Sequence, residues 1–209
     1  KLRRLNLSEI GQIAGRAGRY LNDGSFGITG DCKEISPEEV ELLENHKFEE
    51  IRTLFWRNSN LNFNNPISLI KSLEEKPQVE WLRKIHECED EKALKYFLKD
   101  QKILNKEFDK KTLMLLWECC QIPDFVKKTY GNHFEVIGNV FKFLTSKKGL
   151  ISEDYMRLQL MKLDKLDGNV DSLSNRIANV RTWSYVSNKN NWVENQSYWI
   201  EKTKHLEDR

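Results

Sequence analysis

Gln12-Ile13-Ala14-Gly15-Arg16-Ala17-Gly18-Arg19, followed closely by Gly24-Ser25-Phe26-Gly27-Ile28-Thr29-Gly30, is the stretch on which the fold turns. Wound as a helix, it places Ile10, Ile13, Ala14, Ala17 and Leu21 in one arc of roughly 100°, a face suited to a core. Gln12, Arg16 and Arg19 fall together on about the opposite side, within roughly 60° of one another. Gly11, Gly15 and Gly18 make a third stripe where no side chain hinders close approach. Each glycine costs a helix up to about 1 kcal/mol relative to alanine, so the bare stripe must serve a contact. The second segment alternates apolar residues between glycines, which marks a short strand at Phe26 to Thr29. One strand needs sheet partners, and the chain offers little else that reads as extended apart from residues 51–56. Helix and lone strand together read as the end of an α/β domain whose sheet lies elsewhere.

The rest of the chain reads as helical, so the expected fold class is mainly α. Ser36 stands as N-cap before Pro37 at the first helical position, and Glu38 and Glu39 fill the acidic first turn. Helical spacing predicts further helices over about 65–73, 79–86, 91–98, 110–121, 133–144, 152–166 and 170–186, and one from about 193 onward. The asparagines from Asn58 to Asn65 read as a polar linker loop. Residues 1–36 are thus assigned to the α/β remnant and 37–209 to an all-helical region, with a division into two lobes expected near 100–109. The first residue is not Met and both ends read as parts of helices, so the chain is expected to be a piece of a longer polypeptide.

Composition narrows the function. In 209 residues, 34 Lys and Arg stand against 32 Asp and Glu, a net charge of +2. No global basic field announces a polyanion binder, so any such partner must be met by local patches. No stretch has 18 consecutive apolar residues and the basic start lacks an apolar signal core, which argues against a membrane span or a secretory signal. Cys32, Cys88, Cys119 and Cys120 form no CxxC pair, as expected of free, mostly buried thiols in a reducing compartment. The four histidines are scattered, and no metal site is expected. Neither a phosphate-cradling G-x-x-x-x-G-K-[ST] loop nor an acidic Mg²⁺ box occurs in the sequence.

The octet Gln12 to Arg19 resembles motif VI of superfamily 2 helicases, and Phe26-Gly27-Ile28-Thr29 with the turn before it is similar to the turn and strand that come after that motif. This version is most similar to the mitochondrial degradosome RNA helicases and their alphaproteobacterial relatives. Leu54-Phe55-Trp56-Arg57-Asn58, the block from Leu116 to Asp124, and Arg181-Thr182-Trp183-Ser184-Tyr185-Val186 also agree with the bacterial branch. The resemblance implies the C-terminal portion of an ATP-dependent RNA helicase, with DNA as an alternative substrate. It implies that the motif arginines reach from the second RecA-like domain to ATP held by the first. Arg19 is then the arginine finger, Arg16 a second γ-phosphate contact, and Gln12 and Gly15 complete the nucleotide-contacting set. ATP and Mg²⁺ belong to the full-length parent, and the fragment alone is expected to bind neither and to be inactive. The partners implied are single-stranded or duplex RNA, the N-terminal helicase half and a nuclease, in a bacterial cytoplasm or a mitochondrial matrix.

Two further features carry alternatives. Arg181, Trp183 and Lys189 lie in a tail that mixes cations with aromatics, as a single-strand binding surface does. The seven-residue spacing of Trp192 and Trp199 and the pairing of Trp183 with Val186 fit a buried stripe equally. Trp117 shares a helical face with Leu113, Leu116 and Cys120, which assigns it to the core. A second functional reading is a helical interaction module that docks a protein such as a nuclease, the motif helix serving only as packing.

Overall fold

A computed structural model of the chain describes residues 3–18, 22–99, 108–127, 130–165 and 167–209. The fold is mainly helical and divides into two compact units, Lys1–Leu54 and Phe55–Arg209. In the first, α1 (Leu7–Ala14) and α2 (Pro37–Glu44) each begin with a capping box. Asn6 accepts from the Glu9 amide while Glu9 accepts from the Asn6 amide; Ser36 and Glu39 do the same. Arg4 grips the Glu39 carboxylate at 2.6 and 2.8 Å and so ties the approach to α1 to the start of α2. Because α2 packs on α1, the boundary between units falls at Leu54 rather than at the expected residue 36. Leu43 is the one buried hydrophobic residue among the described residues of this unit.

Two expectations for this unit are corrected. The motif helix ends at Ala14, and tighter turns come next, with the Arg16 amide bonded to Ile13 at 3.1 Å and the Ala17 amide to Ala14 at 2.9 Å. Residues 23–29 run without strand pairing, so the expected strand at Phe26 to Thr29 is absent. Its alternating pattern has no second strand here to bond to.

The second unit contains β1 (Leu54–Trp56), α3 (Pro66–Glu74), β2 (Leu82–Lys84) and α4 (Glu89–Lys99). After these come α5 (Lys110–Cys120), α6 (Tyr130–Leu144), α7 (Glu153–Met161), α8 (Val170–Ser187) and α9 (Gln196–Asp208). Asn65, Asp109, Ser152 and Asn169 cap α3, α5, α7 and α8 by accepting from the amide three residues on. One apolar cluster runs from Leu69 on α3 through Leu94, Leu116 and Ile137 to Val180 and Leu206. Since α4 packs on α5 and α5 on α6, the described residues either side of 100–109 share one core, not two lobes. Arg176, buried on α8, donates to the Leu163 carbonyl at 2.8 Å and the Leu206 carbonyl at 2.7 Å, which fastens α8 to the turn after α7 and to the end of α9.

Here the local pattern misled at three places. Residues 79–86, expected as a helix, contain β2, whose pairing with β1 outweighs an eight-residue spacing that suits either state. The Ile85 amide extends that pairing by donating to Trp56 at 2.9 Å. The asparagine loop is no linker: buried Asn58 donates to the Ser72 carbonyl at 2.9 Å and to Glu75 at 2.7 Å, pinning the loop to the end of α3. The helix expected over 152–166 stops at Met161.

Arg57 latches the sheet to the helices. It donates to Asp90 at 2.8 Å, stands 3.7 Å from Glu91, and lies 5.2 Å above the Trp117 ring. Burial pushes the Glu91 carboxyl above the usual carboxylate range, against the pull of Lys84 and Arg57. Removing the guanidinium leaves buried Glu91 and half-buried Asp90 without their counter-charge. Arg57→Ala is expected to cost about 3 kcal/mol, the low end of the range for broken buried pairs because Arg57 keeps some solvent contact. Urea unfolding that gives a lower midpoint at unchanged slope checks this.

Candidate nucleotide-contact site

Gln12 sits on the last turn of α1, and Gly15 and Arg16 lie just beyond it; all three are exposed. Gly15 keeps right-handed helical backbone, at φ −64° and ψ −6°, so Arg16 still comes about one turn after Gln12. Arg16 has no hydrogen-bond or ion-pair partner among the described residues. Its neighbours in the chain differ: Arg3 is held by Glu9 at 2.5 and 2.8 Å and Arg4 by Glu39. The structure therefore brings Gln12, Gly15 and Arg16 to one exposed helix end, while Arg19 lies outside the described residues.

The glycine stripe makes its contacts within the chain. A Cβ at Gly11 would stand 2.6 Å from the Phe48 ring, and one at Gly18 2.7 Å from the Asn22 carbonyl oxygen. At Gly24 a Cβ would run into the backbone of Ala17 and Gly18. The chain thus doubles back at this point with backbone against backbone, which only glycine permits.

The face expected to be core is open. Ile13 is 62% exposed, and Ile10, Ile13 and Ala14 join Leu5, Phe26 and Ile28 around a groove of about 660 Å³. The part of Leu5, Phe26 and Ile28 in this groove was not legible in the sequence, because it depends on how the segment after Gly24 folds back. At the other end of α1, the Arg3 hydrogen bond and the Asn6 amide hold the Glu9 carboxyl down to about 2.

The residues of the tail do not assemble as a binding surface. Trp183 is 4% exposed and packs edge-on to Tyr155 at 5.9 Å, so it offers no face to a base. Trp192 and Trp199 are buried too, because α8 and α9 pack along each other. Arg181 donates to Glu207 at 2.7 Å, and Lys189 stands 5.1 Å over Tyr185 and 5.8 Å over Trp192. Core packing, one of the two readings of this tail, accounts for its three tryptophans. Trp117, Cys119 and Cys120 are buried on α5 as expected, and burial pushes both thiols well up. Cys32 is exposed, against the expectation of mostly buried thiols, since the first unit buries almost nothing.

Compared with known protein families, curated proteins and solved structures, the chain matches none.

The depressed Glu9 value sets a pH dependence. An acid lowered on folding stabilises the fold above its ordinary value of about 4.5, and that contribution is lost as pH falls towards 2. The Glu9 carboxyl resonance in an NMR titration is expected to move near pH 2, and at higher pH in Arg3→Ala, still below its ordinary value because the Asn6 amide remains. Gly24→Ala is expected to break the doubled-back turn, seen as loss of amide exchange protection at Ala17 and Gly18 with α8 and α9 unaffected.

Proposed function

We propose that this chain is the C-terminal part of an ATP-dependent nucleic-acid helicase of the degradosome RNA helicase type, contributing motif arginines to ATP hydrolysis. The observation that carries this reading is exposed Arg16, one turn beyond Gln12 and without a partner among the described residues, whereas Arg3 and Arg4 before α1 are held by carboxylates. An arginine without an internal counter-ion keeps its planar fork of donors for an external anion. A transferring phosphoryl group spreads negative charge over three oxygens, and a guanidinium held against it lowers the barrier electrostatically. Arg16 is then a γ-phosphate contact, Arg19 the arginine finger, and Gln12 and Gly15 their companions. ATP and Mg²⁺ are held by an N-terminal half that carries the P-loop. The open groove beside Ile13 supports the same reading, because an α/β domain buries such a face under further sheet. The helical second unit continues towards RNA or DNA.

Docking of a protein partner, such as a nuclease, is favoured by one observation. Leu158 and Met161, three apart on α7, and Val170 at the start of α8 are all exposed. Such an apolar contact is insensitive to salt, whereas phosphate binding weakens steeply as salt rises.

In the full-length protein, Arg19→Ala and Arg16→Ala are each expected to lower ATP turnover, by about 10³-fold or more for the finger. Turnover unchanged in both variants, or ATP hydrolysis by this 209-residue chain alone, would overturn the assignment.

A further inference from the structure

The two-stranded sheet carries aromatic rings and cations on a face that the fold leaves open. Phe55 is the central residue of β1 and Arg83 that of β2, and both are exposed. Their neighbours Trp56, Leu82 and Lys84 are half-buried, while Leu54 at the start of β1 is exposed. Side chains alternate along a strand, so Phe55 and Arg83 turn outward together, and Trp81 stands exposed in the turn that leads into β2. Phe55 is 73% and Trp81 55% exposed, large values for aromatic side chains in a unit that buries Trp117, Trp183, Trp192 and Trp199.

The charges beside this row select the occupant. Between residues 76 and 83 stand Lys76 and Arg83 against a single acid, Glu80, while half-buried Lys84 alternates to the inner side. Arg83 and Lys76 have no ion-pair partner among the described residues, unlike Arg57 after β1, which Asp90 holds. An apolar protein surface laid here would strip water from unpaired cations without compensation. A polyanion would neutralise them and release counter-ions instead.

We infer that the outer face of the β1–β2 sheet is a stacking platform for single-stranded nucleic acid, with Phe55 and Trp81 under two bases and Arg83 on the intervening phosphate. Every base presents a π-face, and neither stacking nor phosphate contact reads the 2′-hydroxyl, so the platform takes RNA and DNA strands alike. The inference stands apart from the Arg16 reading, since it concerns binding without nucleotide. In the sequence Trp81 and Arg83 stand two apart, in a stretch whose spacing suits a helix as well.

The test is fluorescence anisotropy of fluorescein-labelled (rU)12 and (dT)12 titrated with the whole chain, without ATP, at low and moderate salt. Both strands are expected to bind, more weakly as salt rises. Phe55→Ala and Trp81→Ala are each expected to weaken binding by about five- to a hundredfold, the range found for one stacked base. Arg83→Gln is expected to weaken both strands alike and to reduce the salt slope by about one. Phe55→Tyr and Trp81→Phe keep a ring and are expected to keep binding, which separates loss of stacking from loss of folding. Photocrosslinking of a 4-thiouridine strand to the unmodified protein is expected to mark the peptides carrying Phe55 and Trp81. Failure of both strands to bind, which leaves the face to a protein, overturns the inference. So does full binding by the Phe55→Ala, Trp81→Ala double variant, or crosslinks confined to other segments.

Discussion

Burial of the inner face of α5 is the interaction on which the second unit depends. Leu113, Leu116, Trp117, Cys119 and Cys120 are all out of water on that one helix, which packs on α4 to one side and α6 to the other. Fully burying a side chain of leucine size contributes roughly 1.5–3 kcal/mol, so this face alone outweighs any single polar contact in the unit. The polar contacts act as registers on that packing. Arg57 places the end of β1 over Trp117 and against the first turn of α4, and Arg176 places α8 against α9. Each leaves a buried group stranded if its partner moves, and so penalises alternative packings more than it stabilises the native one.

The first unit is built differently. It has two capped helices, two arginine–carboxylate pairs, that of Arg3 bidentate, and a turn where backbone meets backbone, yet only Leu43 is buried among its described residues. Exposed ion pairs contribute little, about 0–1 kcal/mol each. What such a unit can do is present groups rather than bury them. Among the described residues Arg16 has no partner at the end of α1, and the apolar face of the same helix stands open beside it. Both features look outward.

Much of this was legible in the residues. Ser36 and Pro37 announce α2, Asp109 and Asn169 stand where helices begin, and the face of Leu113, Leu116, Trp117 and Cys120 is core by spacing alone. Gln12 and Arg16 were legible on one side of the motif helix together with Arg19, because residues three and four apart share a side, and Gly15 on the bare stripe beside them. Other features depend on contacts distant in sequence. Leu82, Arg83 and Lys84 fit a helix as well as a strand, and only pairing with β1 decides between them. Trp183 looked as fit for a base as for the core until α9 and Tyr155 were in place.

The sequence by itself determined the helical class and most of the helix starts, because these are set by short-range geometry: caps and periodicity. The tertiary structure decided where the motif helix ends, which arginines are held by carboxylates and which aromatics face water. Those outcomes turn on which distant segment arrives to compete for each surface, as Gly24 does at Ala17 and Gly18, and Asp90 at Arg57. No local pattern encodes that arrival.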